Sequence, residues 1–192
     1  MGNQFCTHKI ILASGSPRRQ QFLRDLQFDF EIRLKEVAEI YPDHLQGVEI
    51  TNYLAQLKAN AFEGTLDDQE VLLTSDTIVW FENKALGKPK DYEDAFAMLK
   101  AMSGKTHEVI TSVCFKTNRK TETVFEVTKV TFRNLSDEVI HHYIENYKPF
   151  DKAGAYGIQE WIGLIGIAKI EGSYTNVVGM PTDVVFEYLT NL

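Results

Sequence analysis

Residues 10–26 read IILASGSPRRQQFLRDL, and this stretch decides the fold. The apolar run Ile10–Ala13 is long enough for a buried strand and too short for a helix. Ser14-Gly15-Ser16-Pro17 breaks it. Ser16 suits a helix N-cap, and Pro17 suits the first helical position, where a missing N–H costs nothing. Phe22, Leu23 and Leu26 then share one helical face. Arg18 and Arg19 therefore project from the first turn of a helix that follows a buried strand. Free backbone N–H groups and two guanidinium groups there make a phosphate or carboxylate site. The alternative is a pair of solvated helix-face arginines. Two adjacent arginines at the positive end of a helix run against the dipole's preference, which favours the anion site.

Working outward, 192 residues with 44% hydrophobic and 24% charged side chains can bury a substantial core, as one domain or one domain with two lobes. A net charge of −7 argues against a general nucleic-acid binder, so any polyanion site is a local basic pocket in an acidic surface. Cys6 and Cys114 are far apart and form no CxxC pattern, which fits a reducing compartment. Met1–Cys6 is too short and polar for a signal peptide, and the apolar stretch around Ile162–Ala168 is too short to span a membrane. The expected location is the cytoplasm.

Phe28–Leu34 alternates like a half-buried strand, with Glu36 and Glu39 after it. Val48–Glu63 reads as a helix with a stripe of Ile50, Tyr53, Leu54, Leu57 and Ala61, Lys58 beside it and Gly64 as its stop. Val71–Phe81 reads as a strand, Glu82-Asn83-Lys84 as a hairpin turn and Ala85-Leu86 as a short return strand. Asp91–Met102 is an expected helix with Ala95, Phe96, Met98 and Leu99 inward. Thr106–Thr117 and Glu122–Phe132 are expected long strands, and Ser136–Glu145 a helix. Asp151–Gly157 is irregular, Ile162–Glu171 is expected as a strand, Gly172–Asn176 as a loop and Pro181–Leu189 as a closing helix. Strands alternating with helices around one long hairpin indicate a mixed α/β sheet, with no linker, repeat or low-complexity segment.

Asp76 is the most informative single residue. It sits near the end of an otherwise apolar strand, where an unpaired carboxylate costs several kcal/mol, so a partner, a metal or a function must offset it. It could cap a turn, pair with an arginine, bind a divalent cation or act as a general base. Taken singly, Glu36 and Glu39 read as an acidic turn, Lys58 as a snorkelling rim lysine, Lys88 as loop charge, and Gln159 says nothing. Gathered in one pocket, Arg18, Arg19, Lys58 and Lys88 beside Asp76 and Glu39 would suit a triphosphate with Mg²⁺. There is no GxxxxGK[ST] loop and no GxSxG elbow. His141 and His142 are adjacent and face different sides of a helix, and His8, His44 and His107 have no partner at ligand spacing, so no zinc is expected.

The segments Leu12–Arg19 (LASGSPRR), Leu54–Ala61 (LAQLKANA), Ser75–Val79 (SDTIV), Leu86–Pro89 (LGKP), Met102–His107 (MSGKTH), Asp151–Gln159 (DKAGAYGIQ) and Val178–Pro181 (VGMP) together resemble the Maf family, in order and over almost the whole chain. The resemblance implies a single domain over residues 1–192. Its expected fold is an elongated mixed α/β sheet flanked by helices, in two lobes around a central cleft, similar to the inosine triphosphatases. It also implies a nucleoside triphosphate pyrophosphatase that uses a divalent metal, Mg²⁺ or Mn²⁺, and often forms a homodimer. By motif, Asp76 corresponds to the catalytic acid–base residue and Glu39 to a second carboxylate of the metal site. Ser14, Arg18, Arg19, Lys58 and Lys88 correspond to triphosphate contacts.

The family divides by base. Arg18, Thr77 and Gln159 resemble the dTTP/UTP branch, and a glutamine offers both the donor and the acceptor that a pyrimidine imide edge needs. Ala38 stands where relatives often carry an acidic residue, which leaves Glu36 and Glu39 both open as the site glutamate; spacing to the strand favours Glu39. The competing readings are a 7-methyl-GTP or broad modified-nucleotide pyrophosphatase, and a weakly catalytic nucleotide-binding regulator of cell division.

Overall fold

A computed structural model describes residues 5–192; residues 1–4 of the polar N-terminal stretch lie outside it. The strands are β1 (Lys9–Leu12), β2 (Phe30–Ile32), β3 (Glu70–Phe81), β4 (Lys84–Leu86), β5 (Thr106–Lys116), β6 (Thr121–Phe132) and β7 (Ile167–Glu171). The helices are α1 (Pro17–Asp25), α2 (Val48–Asn60), α3 (Tyr92–Met102), α4 (Asp137–Tyr147), α5 (Trp161–Gly166), α6 (Tyr174–Val178) and α7 (Thr182–Thr190). The seven strands form one mixed sheet in the order β2-β1-β3-β5-β6-β7, with β4 paired to β3. β1 runs parallel to both β2 and β3, whereas β4 on β3 and β7 on β6 are antiparallel.

The chain divides into two compact units. The first holds residues up to Asp76 with Thr111–Glu126 and Gly179–Leu192; the second holds Thr77–Ile110 and Val127–Val178. In the first unit the strands bury both faces. Ile10, Leu12, Val71, Leu73, Val113 and Phe115 pack with Leu23, Val185 and Leu189. The intervening Ile11, Leu72 and Cys114 pack with Ala55, Ala59 and Phe62. Two buried faces explain why β1 and β3 read as continuous apolar runs. In the second unit one core joins Val79 and Phe81 to Ala95, Leu99 and Met102 of α3, Ile140, Tyr143 and Ile144 of α4, and Tyr156, Ile158 and Ile162. His107 is buried in that core. Its Nε2 meets the Tyr156 hydroxyl at 2.7 Å, its Nδ1 has no partner among the described residues, and burial pushes its pKa down to about 4.

Local signals hold where punctuation residues set them. Glu82 and Asn83 both take positive φ, 48° and 60°, so the hairpin closes in the two-residue turn whose twist matches its strands. The Asp91 side chain accepts the Asp94 N–H at 2.9 Å and caps α3, an interaction typically worth ~1 kcal/mol. Ser136 caps α4 in the same way through the Val139 N–H.

Five expectations need correction. Ser16 occupies the N-cap of α1, but its hydroxyl makes no capping bond. β2 spans three residues rather than Phe28–Leu34, because its partner β1 offers only Lys9–Leu12; Ile32 and Leu34 are 43% and 60% exposed. α2 ends at Asn60, and its buried face is Ile50, Thr51, Leu54, Ala55 and Ala59, which leaves Tyr53 exposed. Ile162–Glu171 is a strand only from Ile167. Before that, buried Ile162 and Gly166 lie one helical turn apart while Leu164 is 82% exposed, a helical period that an all-apolar run conceals. The Ile158 carbonyl oxygen fills the place of a Gly163 Cβ, 1.7 Å from it, so the helix packs against the chain that precedes it. Finally, the Gly172–Asn176 loop is already helical at Tyr174, since the Ser173 hydroxyl accepts the Asn176 N–H at 3.3 Å.

Candidate active site

In the first unit the site is built by α2 lying on β3. Ala55 and Ala59 are small enough to let the helix approach Leu72, and the Thr74 hydroxyl donates to the Ala55 carbonyl at 2.6 Å. Thr74 and Asp76 share a strand face, so Asp76 also faces the helix. Lys58, one turn beyond Ala55 and in the last turn of α2, meets it there. Its Nζ lies 2.7 Å from Asp76 Oδ1 and 3.2 Å from Glu39 Oε1. The side chains of Lys58 and Asp76 are 16% and 8% exposed, and that of Glu39 is 53% exposed. Of the two candidate glutamates, Glu39 is the one that reaches Lys58.

Arg19 enters from α1. Its Nε donates to the Gly179 carbonyl at 3.0 Å and its Nη1 to the Ser75 carbonyl at 2.9 Å, which fixes the plane of the guanidinium. Lys58 approaches the same Ser75 carbonyl at 3.5 Å. Burial lowers the Arg19 pKa, the Asp76 and Glu39 carboxylates oppose that shift, and Arg18 adds to it. Ser14 is buried, and its hydroxyl accepts the Ser16 N–H at 3.3 Å within the turn that opens α1. The structure thus brings together Arg19, Glu39, Lys58 and Asp76, with Arg18 near enough to influence its neighbour.

Thr77, Lys88 and Gln159 belong to the second unit. The loop carrying Lys88 is tied to the Asp151–Gly157 segment, since the Gly154 N–H donates to the Gly87 carbonyl at 3.0 Å. Gln159 is exposed directly after five buried residues, Gly154–Ile158. Three contributors escaped the sequence reading. The carbonyls of Ser75 and Gly179 anchor Arg19, and Lys152 is a buried lysine paired with Asp151 at 2.7 Å and Glu160 at 3.0 Å. The sequence marks Ser75, Lys152 and Gly179 only as members of the segments SDTIV, DKAGAYGIQ and VGMP.

Asp76 and Glu39 place two hard carboxylate oxygens about one positive centre. That donor type suits Mg²⁺ or Mn²⁺, which commonly take one or two carboxylates together with water and phosphate oxygens. Among the described residues no group of three or more His, Cys, Asp and Glu could hold a metal, so such an ion would draw the remainder of its shell from water and substrate.

No helix among the described residues is long and apolar enough to cross a membrane. A Maf-like protein family pattern matches residues 9–192. The dTTP/UTP pyrophosphatase of Flavobacterium johnsoniae is 70% identical over 185 residues, covering 96% of this chain and 95% of that protein. The enzyme of the same name from Flavobacterium psychrophilum is 66% identical over 188 residues, 98% and 96% of the two chains. That of Christiangramia forsetii is 52% identical over 185 residues, 96% and 94%. With the sequence pattern matched from the first strand to the C-terminus and full-length relatives at this identity, the chain belongs to the Maf-like protein family.

Proposed function

We propose that this chain hydrolyses dTTP and UTP to the nucleoside monophosphate and pyrophosphate. The observation that carries the reading is the buried Asp76 carboxylate set against Lys58, with Glu39 and Arg19 beside it. Full-length relatives named for this activity support it.

In this reading Lys58 occupies Oδ1 of Asp76 and orients the carboxylate, and Oδ2 accepts the proton of the attacking water. The water oxygen bonds to the α-phosphorus, the bond to the α–β bridging oxygen breaks, and pyrophosphate leaves. Arg18, Arg19 and Lys58 meet the charge that develops on the departing group, and Ser14 shapes the turn from which the arginines project. Arg19 is pre-set by its two carbonyl contacts and loses little freedom on binding. Asp76 and Glu39 would hold the divalent ion, whose chemistry is to neutralise phosphate charge and polarise the reacting phosphoryl group. Thr77 and Gln159 are assigned to the base. A homodimer is part of the same reading, and analytical ultracentrifugation tests it.

Product analysis with UTP and Mg²⁺ is the decisive experiment. UMP and pyrophosphate are the expected products, whereas UDP and orthophosphate would overturn the assignment. A comparison of dTTP, UTP, CTP and 7-methyl-GTP by kcat/KM tests the base preference, and equal values would defeat it.

A further inference from the structure

A glutamine amide can present its oxygen and its NH₂ in either order. With a free orientation it would match the edge of cytosine as well as that of uracil. Base selection by Gln159 therefore requires that something hold it, and the second unit contains a device that does so.

Gln159 sits in a four-residue turn closed by the Gly157 carbonyl, which accepts the Glu160 N–H at 3.0 Å. Ile158 points into the core and Gln159 points out. Both ends of the turn are tied to one hydroxyl. Tyr143 of α4 donates to Glu160 Oε2, and its oxygen accepts the Gly157 N–H at 3.0 Å. Burial and the Glu160 carboxylate push the Tyr143 phenol upward, so it stays a donor at neutral pH. The other carboxylate oxygen, Oε1, receives buried Lys152 at 3.0 Å. Gly157 leaves room for the clasp: a Cβ there would lie 2.9 Å from Glu160 Cδ and 3.1 Å from Lys152 Cε, so the two clasping side chains would have to shift.

We infer that Glu160 is a positioning residue for base selection, clasping the turn that displays Gln159 between Tyr143 and Lys152. The proposal rests on the nucleotide-hydrolase reading above. Glu160 touches no substrate, and its effect passes through Gln159. The surroundings agree with a clasp: Tyr143 is fully buried, Lys152 is 9% exposed, and the loop is also bonded to the segment bearing Lys88.

Glu160→Gln in the full chain tests the clasp, because an amide has one acceptor oxygen where the carboxylate uses two. Steady-state kinetics on UTP and CTP should show kcat for UTP unchanged, KM raised, and the preference for UTP over CTP reduced about tenfold. In a Gln159→Ala background the same change should leave the remaining preference where it is. A wild-type preference in Glu160→Gln, or an additive effect in the double variant, overturns the proposal. Lys152→Met should reproduce the loss of preference. Hydrogen exchange separates this outcome from failure of the functional reading. The Gly157 and Glu160 amides should exchange faster in Glu160→Gln, and unchanged exchange overturns the clasp whatever the substrate. A wild-type chain that releases no pyrophosphate from UTP or dTTP overturns the functional reading instead.

Discussion

In the first unit, Lys58 is held between Asp76 and Glu39, and Arg19 is anchored on two backbone carbonyls. In the second, Gln159 stands exposed on a turn whose supports are themselves buried. The first region sets its fixed charges against one another, with Lys58 and Asp76 mostly buried and Glu39 half exposed. The second hides its charges behind the turn and presents one neutral amide. Under the proposed function, the difference matches two tasks. Moving a proton and neutralising a leaving group need strong local fields, whereas telling one base from another needs orientation and a penalty for unpaired polar groups.

The sharpest way to break this contrast is at Asp76. Asp76→Asn keeps the side chain's shape and removes the proton acceptor. Pyrophosphate release should fall about 10³-fold or more while the circular dichroism spectrum is retained. A variant with most of its rate would remove Asp76 from the base role. Lys58→Met comes next, because it removes the cation hydrogen-bonded to buried Asp76 and leaves only the Arg19 guanidinium beside it. Urea unfolding should show a loss of about 3 kcal/mol, as expected when one partner of a mostly buried pair is deleted. A loss near zero would mean that the charges do not support one another.

Acid should separate the regions by pH window. Burial holds His107 of the second unit at about 4 against an ordinary 6.5, so folding favours its neutral form. That contribution is complete above pH 6.5 and is lost as pH falls toward 4, a change worth about 3 kcal/mol. Glu70 of the first unit is held at about 2 against an ordinary 4.5, chiefly by hydrogen bonds from Arg33. Its contribution is complete above pH 4.5 and is lost as pH falls toward 2. Urea midpoints across pH should therefore lose their slope between 6.5 and 4 in His107→Gln, and below 4.5 in Glu70→Gln. The smallest expected effect is on recognition. Gln159→Ala should lower kcat/KM for UTP about tenfold with little change for CTP, and an equal loss on both would make Gln159 a general contact rather than a reader of the base.

Much of the architecture was legible because the chain marks its own boundaries. Pro17 starts α1, Asp91 caps α3, and the Glu82-Asn83 turn joins β3 to β4. The segment after Gln159 was not legible, since WIGLIGIA is apolar throughout and carries no period to separate helix from strand. The face of α2 was misread for a related reason. Its buried residues include Thr51, Ala55 and Ala59, selected for close approach to β3 rather than for hydrophobicity. In the site, Asp76 announced itself as a carboxylate in an apolar strand. Its partner could not be read off, because Lys58 lies 18 positions away in the chain and α2 brings it close. Glu160 gave no signal at all: a carboxylate in a loop looks like ordinary surface charge until Tyr143 and Lys152 are seen on its two oxygens.

The Ile158 carbonyl at the place of a Gly163 Cβ has a consequence for how this protein can change. Position 163 packs on the residue just before the displayed glutamine, and backbone, not a movable side chain, occupies the room that any other amino acid would need there. A search for variants with a new nucleotide preference would find that position closed. Diversity introduced at Gln159, or at the residues that grip its turn, would have somewhere to go.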